Sequence, residues 1–296
     1  MENSLQYYLL KVIILIKGIK ESFDCDPIDF VRIRESDIHH PKSKFFSSKS
    51  VKVISVANTR ITECKKDEKA RRLVVLIHGG AFVSGPTKLH WDVVKKLSSL
   101  TRHAIWLCDY PKSPEYKIDE ISRNIDLVYE KALKEYKSEN ITLIGDSVGG
   151  TLVMALVQRL LFKNMPIPKK IILISPVCDA TFSNPSIPVF ESKDIMLSLK
   201  GVKSAKKMSA GHTRLENSII SPVNGSFRYF PKTIMFLAEH DITFPDQILV
   251  ANKLVFAQVE HKIFIGHGMP HIWPFLPIMP ESKKALSEII REINLD

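Results

Sequence analysis

One serine lies in the sequence context that a hydrolytic nucleophile requires. Ser147 stands within GDSVGG (145–150), after an apolar β-branched run and before an apolar helical run. Small residues two positions to either side of the serine let a strand and a helix approach closely at a sharp turn. The start of the helix also directs backbone N–H groups and a positive dipole end toward developing negative charge. The segment therefore predicts Ser147 as a nucleophile that attacks an ester-like carbonyl.

A second glycine-rich segment lies upstream and could stabilise the oxyanion that such an attack creates. HGGAF (78–82) directly follows the apolar run RLVVLI (72–77). Glycines have no Cβ, so the main chain can pass close to a substrate with its N–H groups free to donate. We predict an oxyanion hole formed by the N–H groups of Gly79 and Gly80, with that of Val148 as a third donor.

A serine hydroxyl needs a base, and the base needs an acid that orients it. When a nucleophile of this kind sits on a strand-to-helix turn, the chain order is serine, acid, histidine. Three acids follow the run TIMFLA, namely Glu239, Asp241 and Asp246, and Asp241 is best placed to point toward the catalytic edge. Two histidines, His267 and His271, follow the last apolar run. We favour His271 because its apolar neighbours could dock it into the site.

The elements that would position these residues alternate along the chain. Helical periodicity lies between short apolar runs, and residues 148–162 are apolar nearly all round, which predicts a fully buried helix. This alternation predicts an α/β fold with a mostly parallel central sheet and helices on both faces. The runs that predict strands buried on both faces are VKVISV (51–56), RLVVLI (72–77), AIWLC (104–108), ITLIG (141–145), KIILIS (170–175), TIMFLA (233–238) and HKIFI (261–265).

Two regions interrupt the alternation and supply no plausible sheet strand. They are residues 1–45 and roughly 180–217, the latter with SNPSIP followed by a Lys/Ser-rich helical stretch. We predict that both form a small helical cap over the edge of the sheet where open α/β folds bind ligands. The expected organisation is an N-terminal part of the cap at 1–45 and a catalytic domain at 46–296 that contains the mid-chain cap insertion.

Composition and motifs limit the partners and cofactors that we expect for this chain. The chain has 296 residues with 42 Lys and Arg against 32 Asp and Glu, a formal net charge of +10. The lysines are spread without a long basic block, so a solvated surface is a better interpretation than nucleic-acid binding. The four cysteines show no C-x-x-C spacing, so we expect no zinc site. The sequence contains neither dinucleotide-binding nor P-loop motifs, so we expect no cofactor.

The N-terminal run LQYYLLKVIILI (5–16) is apolar except for Gln6 and Lys11. It is shorter than the ~20 residues of a membrane span. It also lacks the basic leading region and the small-residue cleavage site of a signal peptide. We interpret it as a helix packed on the fold, with membrane-surface contact open as an alternative, and we expect a cytoplasmic protein.

Taken together, these segments resemble the hormone-sensitive-lipase-like carboxylesterases of the α/β-hydrolase superfamily. The resemblance extends over roughly residues 70–292 and is carried by HGGAF (78–82), GDSVGG (145–150), EHD (239–241) and GMPHIWP (268–274). It implies the α/β-hydrolase fold, a cap, a triad of Ser147, Asp241 and His271, and an oxyanion hole at Gly79 and Gly80. It thereby favours His271 over His267. Val148 stands where the family usually has a smaller residue.

The function expected is a serine carboxylesterase that hydrolyses short to medium acyl esters through an acyl-enzyme. An amidase, deacetylase or arylformamidase would use the same triad and is the alternative within the same chemistry. A non-catalytic ligand-binding protein of the same fold is a further alternative. Only a small-molecule ester substrate is expected as a partner, with the oligomeric state left open.

Overall fold

The fold is built on one eight-stranded sheet, seen in a computed structural model that describes residues 3–295. The strands follow the order β1-β2-β4-β3-β5-β6-β7-β8, and only the β1–β2 and β2–β4 pairs are antiparallel. The predicted α/β architecture with a mostly parallel sheet is therefore confirmed. The strands are β1 Val51–Val56, β2 Thr59–Cys64, β3 Leu73–Ile77, β4 Ala104–Asp109, β5 Ile141–Asp146, β6 Lys170–Ile174, β7 Lys232–Ala238 and β8 His261–Gly266.

The sequence predicted the strands at and near the edges of the sheet incorrectly. The strand β2, TRITEC, was not predicted, because polar residues interrupt its apolar ones and it lacks the continuous run of a doubly buried strand. Its Glu63 is nonetheless buried, where it accepts a 2.7 Å hydrogen bond from Nε1 of Trp106. The strands β1 and β8 were expected to be buried on both faces, but they are the two edge strands of the sheet. Val53 of β1 is 51% exposed and Ile265 of β8 is 40% exposed.

Helices cover both faces of the sheet, as predicted. The helices α4, α10 and α1 pack with one face of the parallel strands, while α5, α6 and α9 pack with the other. Alternate residues of β3 divide between the two cores, with Val74 and Leu76 on one side and Val75 and Ile77 on the other. The helices are α1 Leu5–Ile16, α2 Ile19–Phe23, α3 Phe30–Arg34, α4 Lys88–Leu100, α5 Ile118–Glu135, α6 Val148–Phe162, α7 Ile187–Glu191, α8 Leu199–Ala210, α9 Phe244–Phe256 and α10 Pro280–Asn294.

The two regions that interrupt the alternation are helical and contact each other. Here "N-terminal segment" means residues 3–45 and "mid-chain segment" means residues 180–217. The Oγ of Ser204 in α8 donates to Asp26 (2.8 Å) and accepts from the backbone N–H of Ile28 (2.9 Å). A Cβ on Gly201 would lie 1.7 Å from the carbonyl oxygen of Phe23, so only glycine permits this approach. The division of the chain into a cap and a catalytic domain stays a prediction.

The first helix, α1, packs elsewhere. The hydroxyl of Tyr7 donates a 2.9 Å hydrogen bond to the carbonyl oxygen of Gly268, and the hydroxyl of Ser4 donates to Glu281 at 2.8 Å. The helix thus braces the loop after β8 and the start of α10. Its outer face exposes apolar side chains, including Leu5 and Ile16. None of the helices in residues 3–295 combines the length and the apolar character that crossing a membrane requires.

Candidate active site

Ser147 occupies the turn between β5 and α6 with backbone angles of φ 53° and ψ −122°. Such a positive φ is rare for a residue with a side chain and indicates stored strain at a functional position. The neighbouring glycines make the turn possible. A Cβ on Gly145 would lie 2.4 Å from the carbonyl of Gly149, and a Cβ on Gly149 would lie 2.0 Å from the carbonyl oxygen of Ile77.

The loops after β7 and β8 bring an acid and a histidine together. Nδ1 of His271 lies 2.6 Å from Oδ2 of Asp241, and both side chains are buried. Further donors hold the carboxylate of Asp241. Its Oδ1 accepts from the backbone N–H (2.7 Å) and hydroxyl (2.8 Å) of Thr243, and Nε2 of Gln247 lies 3.2 Å from Oδ2. The acid is thus fixed by its own loop and by the first turn of α9, which favours the tautomer of His271 with its proton on Nδ1.

The other candidates from the sequence lie in different surroundings. The side chain of His267 is 73% exposed, and its Nδ1 lies 3.6 Å from Glu239 rather than near Asp241. Asp246 is buried and accepts a 2.8 Å hydrogen bond from Asn184. Among the residues singled out from the sequence, Asp241 and His271 are therefore the acid and histidine that meet in buried surroundings, whereas Glu239 and His267 pair at the surface.

A serine from the neighbouring strand loop holds the histidine loop in place. The backbone N–H of Ile272 donates a 3.0 Å hydrogen bond to Oγ of Ser175, which follows β6. Ile272 itself has a φ of 49°, so the chain turns sharply immediately after His271. This turn and its hydrogen bond fix the direction in which the imidazole points.

A further acid acts electrostatically on the pair of Asp241 and His271. Asp194, in the mid-chain segment, is buried and accepts from the backbone N–H of Ile242 (2.9 Å), next to Asp241. Burial and the charge of Asp241 raise the pKa of Asp194. Burial by itself would lower the pKa of His271, but the charge and hydrogen bond of Asp241, followed by the charges of Asp194 and Asp146, raise it above the usual 6.5.

Ser147 and His271 line the same cavity, which has a volume of about 240 Å³. Its walls are mostly apolar and come from both the sheet edge and the helical segments. Ile19 and Phe23 belong to the N-terminal segment, whereas Val202 and Lys206 belong to α8. The remaining lining residues are Gly80, Ala81, Thr87, Leu89, His90, Asp146, Val148, Val177, Phe182, Met196, Leu197 and Ile272.

The glycine-rich segment after β3 runs directly beside the nucleophile. A Cβ on Gly79 would lie 2.9 Å from the Cβ of Ser147, and Gly80 has a φ of 119° that suits glycine. Val148 is the first residue of α6, and an amide at that position has no acceptor within its own helix. His78 supports the segment from below, because its ring stacks on Tyr110 at 4.5 Å and Tyr110 donates to the carbonyl of His78 at 2.9 Å.

A neighbouring histidine orients the aspartate beside Ser147. The backbone N–H of Thr87 donates to Nδ1 of His90 at 2.9 Å, so Nδ1 is an acceptor and the proton lies on Nε2. Nε2 lies 3.3 Å from Oδ2 of Asp146, to which it donates. This pair ties the start of α4 to the nucleophile turn.

Several of these supporting residues were not found from the sequence. Asp194, His90 and Lys206 reach the site from segments without a recognisable motif, and Thr243 and Gln247 stand in an ordinary helix start. Ser175 directly follows β6, and no pattern in its own segment indicated a role. No group of three or more His, Cys, Asp or Glu side chains within residues 3–295 is placed to hold a metal ion.

Comparison with known proteins places this geometry in a family. A family profile described as alpha/beta hydrolase fold matches residues 74–275. An esterase of Acinetobacter venetianus is 28% identical over 242 residues, which are 81% of this chain and 80% of the relative. The crystal structure of a putative esterase from Staphylococcus aureus superposes with a TM-score of 0.83 at 30% identity, covering 90% of this chain and 91% of that chain.

A further solved structure, titled as an esterase from the bacterial hormone-sensitive lipase family, shares the fold with a TM-score of 0.84. It is 20% identical and covers 99% of both chains. This chain therefore belongs to the α/β-hydrolase superfamily, and its similarity to esterases agrees with the carboxylesterase resemblance of its motifs.

Proposed function

We propose that this carboxylic ester hydrolase acts on short to medium acyl esters through a Ser147–His271–Asp241 triad and an acyl-enzyme. The observation that carries the proposal is the 2.6 Å contact between His271 and Asp241 on the cavity that Ser147 also lines. A histidine oriented by a buried carboxylate beside a strained serine is the arrangement that nucleophilic acyl transfer needs.

In the first half-reaction, Ser147 attacks the ester carbonyl while Nε2 of His271 takes the hydroxyl proton. The N–H groups of Gly79, Gly80 and Val148 donate to the oxyanion of the tetrahedral intermediate. Each such donor contributes roughly 3–4 kcal/mol to the stability of the transition state. The imidazolium, which Asp241 stabilises, then protonates the alcohol as it leaves.

In the second half-reaction, His271 removes a proton from water, and the resulting hydroxide attacks the acyl-enzyme carbonyl. A second oxyanion forms in the same hole, and its collapse breaks the bond to Oγ of Ser147. The acid is released and the serine recovers its proton from His271. All proton transfers thus pass through one imidazole, whose tautomer is fixed by the buried carboxylate of Asp241.

The cavity favours small substrates. Its volume of about 240 Å³ is below the ~300–1,000 Å³ of pockets that hold drug-sized ligands. Apolar side chains such as Val148, Val177 and Phe182 form much of the wall. We therefore expect the highest kcat/KM for acyl chains of a few carbons and a decline for long chains.

The direct test is a series of 4-nitrophenyl esters from acetate to laurate, assayed with the wild type, Ser147→Ala and the control Ser183→Ala. Ser183 lies on the surface, so the control retains the hydroxyl chemistry of the site. A matching anilide and an N-formyl arylamine in the same assay separate ester hydrolysis from amidase or arylformamidase activity. An amide substrate with the higher kcat/KM would overturn the ester assignment.

Labelling with a fluorophosphonate, followed by peptide mass spectrometry, tests the nucleophile without turnover. The proposal expects the adduct on Ser147 and no adduct in Ser147→Ala. An unlabelled wild type that binds ligands but hydrolyses none of the substrates would indicate a ligand-binding protein instead.

We also propose that α1 contacts membrane surfaces. Its outer face exposes six apolar residues at helical spacing, and Lys17 follows at its end, on a chain of net charge +10. A contiguous exposed apolar face marks an interaction site with a protein or a membrane, and a net positive charge favours an anionic membrane surface. The six exposed side chains are Leu5, Tyr8, Leu9, Val12, Leu15 and Ile16.

Sedimentation with phosphatidylglycerol-containing vesicles tests the membrane proposal. The wild type is expected to sediment with the vesicles, while Leu9→Glu/Ile16→Glu stays in the supernatant. Equal sedimentation of the two proteins would contradict it. A cytoplasmic location stays a prediction from the sequence.

A further inference from the structure

One lysine in the wall of the active-site cavity has no hydrogen-bond partner among residues 3–295. Lys206 lies on α8, is 1% exposed and lines the cavity together with Ser147 and His271. Its ammonium group makes no hydrogen bond within residues 3–295. A buried charge without a hydrogen-bond partner is costly, so this group requires an explanation.

The described residues around Lys206 contact its ammonium group but form no hydrogen bond with it. Nζ lies 4.1 Å from the ring centroid of Phe82, a cation–π contact. Burial lowers the pKa of Lys206 to about 7, and the nearby carboxylate of Asp179 opposes that shift. The carboxylate of Asp179 already accepts hydrogen bonds from the N–H of Thr181 and from Ser221.

The other two buried lysines of the described chain differ in this respect. Nζ of Lys170 donates to the carbonyl oxygens of Glu292 (2.6 Å) and Leu295 (2.7 Å). Nζ of Lys112 donates to Oδ1 of Asp109 (2.5 Å) and to the carbonyl oxygen of Tyr110 (3.0 Å). Both of those lysines hold the fold together, whereas Lys206 points its donors at a cavity.

From this arrangement we infer that Lys206 binds a carboxylate carried by the ester substrate. The inference rests on the proposed esterase function and deepens it, because it names a substrate class: esters that bear a second, ionised carboxyl group. The walls around Lys206 are apolar, so a carboxylate there would find its counter-charge in this ammonium. The other charged wall residue near the nucleophile, Asp146, is already paired with His90.

The carboxylate can belong to either half of the ester, and paired substrates distinguish the two. In the acyl arm, mono-4-nitrophenyl glutarate is compared with 4-nitrophenyl pentanoate. In the alcohol arm, 4-carboxyphenyl acetate is compared with 4-methylphenyl acetate. Each pair differs mainly in the charged group, so the ratio of kcat/KM within a pair isolates its contribution.

Three variants complete the test. Lys206→Met removes the charge at similar length, Lys206→Arg keeps it, and Lys207→Met removes the charge of an exposed neighbour. In one arm, Lys206→Met should lower kcat/KM for the anionic ester by roughly 10- to 100-fold, the cost of a lost charged hydrogen bond. It should leave the neutral ester within about twofold, Lys206→Arg should retain the anionic preference, and Lys207→Met should change neither.

The outcomes separate this inference from the proposed function. If the wild type hydrolyses the neutral esters and Lys206→Met leaves both ratios unchanged, the carboxylate inference fails and the esterase proposal stands. If the folded wild type hydrolyses none of the four substrates, the proposed function itself fails. Should Lys206→Met not fold, the wild type still decides, because a preference for the neutral ester above about 100-fold in both arms contradicts a bound carboxylate.

Discussion

The sheet edge and the helical segments above it are held together by different kinds of contact. Ser147, Asp241 and His271 follow parallel strands, and buried hydrogen bonds hold the acid and the loop behind the histidine. The N-terminal and mid-chain segments meet instead through serine–aspartate pairs such as Ser204–Asp26, and they present the unpaired Lys206 to the cavity. From this difference we propose that the sheet edge carries the chemistry, while the helical segments select the substrate.

The largest effect is expected from a substitution of Asp241, the proposed acid at the sheet edge. Asp241→Asn preserves size but favours the wrong tautomer of His271, so we expect kcat to fall about 10⁴-fold. Asp246→Asn is the matched control, because that carboxyl pairs with Asn184 and does not touch the histidine. Steady-state kinetics with 4-nitrophenyl butyrate measure both. Equal losses in the two variants would mean that the loop, not the acid, matters.

The packing of the nucleophile turn gives the second prediction. In Gly149→Ala the new Cβ would lie 2.0 Å from the carbonyl oxygen of Ile77, so strand and helix must separate. We expect the free energy of unfolding to fall by about 3 kcal/mol, the upper range of ordinary overpacking. Urea denaturation measures this. An unchanged midpoint would show that the close approach of α6 to β3 is not required for folding.

The pH dependence gives the third prediction. His271 accepts a proton only when it is neutral, and its pKa is raised above the usual 6.5. Activity should therefore rise with pH, and the acidic limb of kcat/KM should have its midpoint above 6.5.

The variant Asp194→Asn links this pH profile to the mid-chain segment. Removing the charge of Asp194 removes one contribution that raises the pKa of His271, so the acidic limb should move to lower pH. A neutral ester is the substrate of choice, since the charge of Lys206 then does not enter the binding step. A limb that stays in place would show that the mid-chain segment does not act on the base.

The smallest effect is expected between the helical segments themselves. Ser204→Ala removes the hydrogen bonds to Asp26 and Ile28, and should cost about 1 kcal/mol of stability. The kcat for a short neutral ester should not change, because the triad is held by other contacts. Urea denaturation and kinetics on one preparation test both parts, with Ser183→Ala as a surface control. A large fall in kcat would contradict the separation of roles.

Most of the parallel part of the fold could be predicted from the sequence. Strands that are buried on both faces have continuous runs of apolar residues, which are easily recognised. The segments that carry Ser147, Asp241 and His271 were found because each directly follows such a run. Strand β2 was missed because its burial depends on pairing with β4, which its own residues do not indicate. Asp194 and Lys206 were missed because their role depends on where a helical segment folds back, a tertiary property without a local pattern.

The hydrogen bond between Tyr7 and Gly268 joins segments that are synthesised at different times. It joins residues 261 positions apart, and the pair Ser4–Glu281 joins residues 277 positions apart. The first helix is synthesised long before its partners beside the histidine loop. Closing such long loops costs entropy that grows only slowly with their length. The loop that carries His271 is therefore braced only once the intervening chain has been synthesised, so nascent chains that stop before the histidine loop lack the proton acceptor of the proposed reaction.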